Sequence, residues 1–322
     1  MNNRRRTLSQ MAAISLAAIT PSWVNAQAKT LKILVGYPPG GAVDVVARQV
    51  AEEMRALGYN TIVENKTGAA GQLATEAMLA APNDGSTVVL MPGGNATIFP
   101  HVYPKLRYSV SDLAPLAGVC SFTFALGVGP GTPAKTLNEF VDWAKANPGK
   151  ASYGTPGAGT AMHFLGVMFG RQAGIDFQHV PYKGGAAAMT DLLGGNLPAL
   201  STTLPNLVKQ HQAGKLRILG FSGDQPLPGL SGVKTFKEQG YPELQIREIF
   251  AFFASSKTPA PVLAELEKAL ITAAKMPRLV ASIEKLEFDS AVINASELSR
   301  YIKADFERWG PVIKATGYTA EM

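Results

Sequence analysis

Tyr37-Pro38-Pro39-Gly40-Gly41 sits between the apolar run Leu31 to Gly36 and a segment in which Val43, Val46, Ala47, Val50, Met54 and Leu57 recur every three or four residues. Glycines at the start of a helix lack a Cβ, so an oxyanion can come close to backbone N–H groups that have no partner in the helix. The summed peptide dipoles favour negative charge there. The chemistry this offers is capture of a carboxylate or phosphate. Asp44 would be a poor direct neighbour for such an anion and is read as a helix-start residue satisfying backbone donors. Taken alone, the same turn serves equally well as a tight strand-to-helix connection.

Bond-making chemistry finds little support. The chain has no G-x-S-x-G elbow, no Walker sequence, no H-E-x-x-H, and no G-x-G-x-x-G after a strand. A nucleophile with its base and an orienting partner is therefore missing from the motifs, and no enzyme is expected. His101, His179 and His211 have no His, Cys or carboxylate at ligand spacing, so neither a metal nor a cofactor is expected. His163 is read as a structural histidine in preference to one facing a cleft. Cys120, the only cysteine, lies in an apolar stretch and is read as a buried, inert thiol. Lys183 either pairs with a second ligand carboxylate or stands as a solvated loop charge. Tyr37 and Tyr182 either stack on a ligand or cover the cleft. Two Asn-x-Thr sequons, at Asn65 and Asn95, are read as coincidence.

The elements that must hold these residues follow from periodicity. Asn60 to Asn65 is a strand, Thr67-Gly68-Ala69-Ala70-Gly71 a Gly-rich turn, Gln72 to Ala80 a helix, and Thr87 to Met91 an apolar strand ending in Pro92-Gly93-Gly94-Asn95-Ala96-Thr97. Three successive strands thus run into small-residue loops, and in a parallel sheet those loops would converge on one crevice at the carboxyl edge. Leu113 to Val128 is long and apolar enough to pass from one domain to another. The pattern then restarts, with a helix over Thr136 to Asn147 followed by the strand Ala151 to Tyr153. The loop Gly154-Thr155-Pro156-Gly157-Ala158-Gly159-Thr160 leads to a helix from Ala161 to Ala173. Asp176 to Val180 is a strand, followed by the turn Pro181-Tyr182-Lys183-Gly184-Gly185 and a helix over Ala186 to Leu193. Leu197 to Ser201 and Leu216 to Phe221 are further strands, and Gln245 to Ala254 is the return crossing. A helix starting at Thr258-Pro259 and a last helix capped by Ser296 follow, with aromatics that read as core. No residue after about Ala254 is given a functional role.

Whole-chain properties set the outer limits. The 322 residues are 46% hydrophobic and 17% charged, a globular composition with room for about two domains. Arg4, Arg5 and Arg6, the apolar run Met11 to Ile19 and the small residues around Val24-Asn25-Ala26 form an export signal over residues 1–26, too short for a membrane span. Its removal leaves 27 basic against 24 acidic residues, a net charge of +3 that is too mild to attract nucleic acid. The mature chain is expected to be soluble, periplasmic and monomeric.

Taken together, YPPGGAVD, ENKTGAAGQLA, NDGSTVVLMP, YGTPGAGTAMHFLG and PYKGGAAAMTDLLGGNLPAL, in this order behind an export signal, resemble the Bug-type substrate-binding proteins of tripartite tricarboxylate transporters. The resemblance covers essentially all of the mature chain. It implies an α/β, two-domain clamshell of the periplasmic-binding-protein (Venus flytrap) kind, each domain a mainly parallel sheet flanked by helices, joined by crossing strands. Residues 27–125 and 249–322 would form the first domain and 126–248 the second. Carried over by position, the first-domain anion site falls on Tyr37, Pro38, Gly40, Gly41, Gly71, Gly94 and Asn95. The second-domain selecting loops fall on Thr155, Gly157, Gly159, Thr160, Tyr182 and Lys183. Many relatives have an acidic residue where this chain has Thr202 and Thr203. That departure disfavours an amine-bearing ligand and leaves a mono- or dicarboxylate, aromatic acids included. Membrane transporter subunits are the partners the resemblance implies. A periplasmic sensing component is the alternative, and an exported α/β enzyme ranks last.

Overall fold

The structure, a computed structural model, describes residues 29–320. The export segment read from residues 1–26 lies outside the described residues. The first βαβ unit runs from β1 (Lys29–Val35) through α1 (Ala42–Ala56) to β2 (Tyr59–Asn65), and α2 (Gln72–Leu79) then leads to β3 (Thr87–Pro92). Strand β1 is the central member, parallel to β2 on one side and to β3 on the other. Helix α1 lies against this sheet because Val43, Val46, Ala47, Val50 and Met54 form one apolar stripe, and all five are buried. Two short helices, α3 (Gly94–Thr97) and α4 (Phe99–Val102), follow β3.

Strand β4 (Leu113–Val128) carries the chain across the molecule. From Leu113 to Thr123 it pairs antiparallel with β9 (Arg247–Ser255), and from Phe124 to Val128 its partner becomes β7 (Ala199–Thr203). The change falls between Thr123 and Phe124. Beyond it, α5 (Leu137–Ala146), β5 (Ser152–Thr155), α6 (Ala161–Ala173), β6 (Gln178–Pro181), α7 (Gly185–Leu193), β7, α8 (Leu204–Gln212) and β8 (Arg217–Phe221) build the second lobe. Here β5 is central, parallel to β6 and to β7, so the second lobe repeats the plan of the first. The strand path β2-β1-β3-β9-β4-β7-β5-β6 joins both lobes through β4.

After β9, which pairs antiparallel with β3, the chain adds α9 (Ala260–Ala274), α10 (Pro277–Lys285), β10 (Asp289–Asn294) and α11 (Ala295–Thr316). Two features here depart from the sequence reading. Asp289 to Asn294 is a strand, antiparallel to β4 with an irregular register between Ser290 and Ile293. The cap of the last helix is Asn294 instead of Ser296: Asn294 Oδ1 accepts from the Glu297 N–H at 2.9 Å, and the Glu297 carboxylate accepts from the Asn294 N–H at 3.1 Å. The reciprocal pair satisfies two donors where a serine two residues later would satisfy one.

Aromatic packing welds the crossing. Phe122 and Phe124 meet edge to face at 5.5 Å between centroids, and Phe122 also packs on Phe250 and Phe288. Cys120 is buried in the same region, and burial pushes its thiol well above the usual range. That fits the inert role read from sequence.

Candidate ligand-binding cleft

The carboxyl ends of β1, β2 and β3 release three loops that touch one another. A Cβ on Gly36 would overlap the Gly71 Cα, so the first and second loops pack backbone to backbone. The Tyr37 hydroxyl donates to Ala70 O at 3.0 Å and to Asn95 Oδ1 at 3.2 Å, tying the first loop to the other two. Gly71 has φ +97°, and a Cβ there would meet Asn95 Nδ2 at 2.9 Å and the Tyr37 ring at 3.2 Å. These close approaches explain why glycine occupies both positions. Gly94 and Asn95 are buried beside them.

At the Pro38-Gly41 turn the two glycine amides are engaged internally. The Gly40 N–H donates to Asp44 Oδ2 at 2.8 Å, and the Gly41 N–H donates to Pro38 O at 3.2 Å. Asp44 supplies the turn with its own anion, held also by Arg48 and by Asn65 Nδ2 at 2.8 Å. Burial opposes that charge, but the bonds from Arg48, Gly40 and Asn65 outweigh it and lower the pKa. The backbone ladder of α1 starts with Val45 N–H donating to Gly41 O. The N–H groups of Ala42, Val43 and Asp44 therefore stand outside it, directly after the glycines to which the anion was assigned.

On the second lobe the 154–160 loop is knitted by hydroxyls. Thr155 Oγ1 donates to Gly157 O at 2.9 Å, and Thr160 Oγ1 donates to the same carbonyl at 3.0 Å. His179 Nε2 lies 2.7 Å from Thr155 Oγ1, and because that hydroxyl already donates to Gly157, the imidazole is the donor. The Gly159 N–H donates to His163 Nδ1 at 3.3 Å. His163 and His179 stack with centroids 3.9 Å apart. Burial pushes His163 down to about 3, with His179 adding to the shift, and pushes His179 down to about 4. His163 is thus a structural histidine beneath the loop. Tyr182 turns onto its own lobe, donating to Asp191 Oδ2 at 2.7 Å, and Lys183 is exposed. Thr202 Oγ1 accepts from Asn206 Nδ2 at 3.2 Å.

The two rims face each other and meet. A Cβ on Gly157 would stand 3.5 Å from Ala70 Cβ, and one on Gly184 would stand 3.5 Å from Pro38 Cγ. The Tyr103 hydroxyl donates across the gap to Ala158 O at 2.8 Å. Two buried polar groups lie near these rims: the Gln72 amide at the start of α2, set against the Tyr103 phenol, and Thr203 Oγ1 at the end of β7, which has no hydrogen-bond partner among the described residues. Gln72, Tyr103 and Ala158 were not among the residues expected from sequence. The only signal for Gln72 is its place directly after Gly71, and Tyr103 lies in a segment without any motif. The segment after Ala254 also contributes, since the Tyr318 ring packs on His163 at 4.4 Å and Asp305 and Arg308 lie behind Gly94.

Comparison with known proteins agrees with this geometry. The family model described as the tripartite tricarboxylate transporter family receptor matches residues 46–318. A protein encoded in the gbd 5' region of Cupriavidus necator is 31% identical over 314 residues, covering 95% of this chain and 94% of that protein. The periplasmic binding protein BugD superposes with a TM-score of 0.83 at 28% identity, covering 91% of this chain and 99% of BugD. MatC from Rhodopseudomonas palustris, solved with bound malate, superposes with a TM-score of 0.81 at 25% identity, covering 88% of this chain and 98% of MatC. Two α/β lobes with facing loop rims, together with a match that runs from α1 to the end of the last helix, make this chain a member of the tripartite tricarboxylate transporter receptor family, whose members bind solutes and do not transform them.

Proposed function

We propose that this protein captures a small organic mono- or dicarboxylate between its two lobes in the periplasm and presents it to the membrane subunits of a tripartite tricarboxylate-type transporter. The observation that carries this reading is the meeting of two glycine-rich rims, Gly157 against Ala70 and Gly184 against Pro38, at the carboxyl edges of two parallel sheets. The ligand would be held on one side by Tyr37, Pro38, Gly71, Gly94 and Asn95 with the first-turn amides after Gly40 and Gly41. On the other side stand Thr155, Gly157, Gly159, Thr160, Tyr182 and Lys183. The buried Thr203 Oγ1, without a partner among the described residues, offers a polar contact to a ligand with oxygen acceptors, and the Gln72 amide lies beside the Tyr103 phenol at the same rim. Malate in MatC is a ligand of the same chemical class.

The energetics are sufficient. Micromolar affinity requires about 8 kcal/mol. Charge-assisted hydrogen bonds contribute roughly 1.5 to 3 kcal/mol each, so three or four of them with a buried carbon skeleton meet that need after ordering costs. Protein stripped of ligand by unfolding and refolding should show a raised melting temperature with at least one acid from a broad panel of mono-, di- and aromatic carboxylates. At a hundredfold excess over Kd the gain is about 2.7 kcal/mol. A panel that leaves the melting temperature unmoved discards the carboxylate class.

A further inference from the structure

Glu248, the second residue of β9, sits where β9 enters the first lobe, paired with Phe122 across the crossing strands and only 3% exposed. Its carboxyl reaches the loop that carries Gly94 and Asn95. A Cβ on Gly94 would overlap Glu248 Oε1, and the Gly94 amide is directed at the same carboxyl. Asn95 in turn accepts from Tyr37, so the carboxyl touches the back of the rim to which the ligand anion is assigned.

Among the described residues, no charged group facing Glu248 forms an ion pair with it. From α11 come Asp305, Arg308 and the Tyr301 phenol, and from the first loop comes the Tyr37 phenol. Arg308 is committed to Asp305, with Nη2 donating to Oδ1 at 2.6 Å and Nε donating to the same oxygen at 3.1 Å. Asp305 also accepts from Thr97 Oγ1 at 2.7 Å, which holds its carboxyl at this corner. Arg247, the neighbouring residue on β9, pairs instead with Asp289 at 3.1 Å. A buried carboxyl beside an ion pair that is already satisfied favours its neutral form, even with the Gly94 amide directed at it.

We infer that Glu248 carries a proton when the ligand is bound and gates anion affinity at the cleft floor, so that capture of a carboxylate near neutral to alkaline pH takes up a proton from solvent. The inference rests on the proposed carboxylate function. Burial first, and the charge of Asp305 second, push the Glu248 carboxyl up to about 8 in the ligand-free protein. An anion arriving at Gly94 and Asn95 raises it further, because two negative charges separated by one loop in a low-dielectric corner exclude each other. Glu248 acts through the loop and is a positioning residue.

Two measurements test this. The first needs no ligand: melting temperature against pH for the wild type and Glu248→Gln. The folded-state pKa lies above the unfolded value, so the wild type loses stability relative to the glutamine variant as pH rises from about 4.5 to about 8, and the difference then levels off. A difference that stays constant over that range overturns the inference. The second is calorimetry on the wild type with malate, or, should malate give no thermal shift, with the acid that gives the largest one, at pH 8 in two buffers of different ionisation enthalpy. About half a proton should be taken up per ligand, and affinity should fall roughly tenfold between pH 7 and pH 9, while Glu248→Gln shows no such fall. Binding without proton uptake overturns the inference and leaves the carboxylate function standing. If no acid binds, the function itself fails, and the ligand-free arm still decides whether Glu248 is protonated.

Discussion

His163 and His179 stand face to face beneath the 154–160 loop, one accepting from the Gly159 N–H and the other donating to the Thr155 hydroxyl. Both bonds use neutral imidazole, and a proton on His163 Nδ1 would remove the acceptor that holds Gly159. The pair's pKa values, about 3 and about 4, lie below the ordinary value near 6.5. A base with a depressed folded-state pKa contributes stability above its unfolded value and loses it as pH falls toward the folded value. Unfolding free energies from denaturant titration should therefore fall between pH 6.5 and pH 4, by up to about 1.4 kcal/mol per pH unit for a fully shifted imidazole. His163→Gln should lose less over the same interval than the wild type; equal slopes would show that another group titrates. The sequence places His163 three residues after Thr160, which is enough to read it as structural. That spacing holds no sign of His179, which arrives from the neighbouring strand.

Helix α11 shows what an element gains from its ends. Its capping box of Asn294 and Glu297 fixes the start, and Gly317, with φ +67°, ends it in a left-handed conformation. Asn294→Ala should cost roughly 1 kcal/mol in urea unfolding, and loss of well under half that amount would mean that the strand pairing of β10, and not the cap, sets the start of the helix. The sequence offered Ser296 as the cap because serine precedes the apolar run. Asn294 prevails because it ends a strand that already leaves the chain extended, and extended backbone is what a capping residue needs. Strand β10 itself escaped notice because DSAVIN alternates only weakly and its pairing with β4 is irregular. The far end of α11 reaches the second lobe, where Arg171 Nη1 donates to Ala315 O at 2.7 Å. The last helix therefore belongs to both halves.

At the scale of the molecule, the lobes are joined by β4 and β9 and touch across the rims. Any hinge motion between them would fall near Thr123 and Phe124, where β4 exchanges β9 for β7, and near Arg247, where the β4–β9 ladder ends. Tyr103 makes one of the hydrogen bonds that such motion would break, because its hydroxyl spans from the first lobe to Ala158 O at 2.8 Å. Tyr103→Phe removes one bond of about 0.5 to 1.5 kcal/mol from the closed state. Ligand affinity should fall roughly 2- to 10-fold, with the ligand-free protein more expanded in small-angle scattering. An unchanged affinity would remove Tyr103 from the closing contacts.

What the sequence determined by itself is the set of strand, loop and helix units and the order in which they come, because hydrophobic period and glycine position are local properties. Val43 to Met54 reads as a helix, Thr87 to Met91 as a buried strand and Gly71 as a sharp turn without any knowledge of neighbours. The assignment of the anion to the Gly40 and Gly41 amides followed the same local logic; the folded turn adds that these amides donate to Asp44 and to Pro38 O, and that Asn65 holds Asp44 in place. Only the folded chain could set Glu248 against Gly94, His179 against His163, and Tyr103 against Ala158, since each pair joins residues of different elements that only strand register and packing bring together. Periodicity specifies which face of an element is buried, whereas the registers of β4 with β9 and β7 specify which buried or rim-facing groups become neighbours.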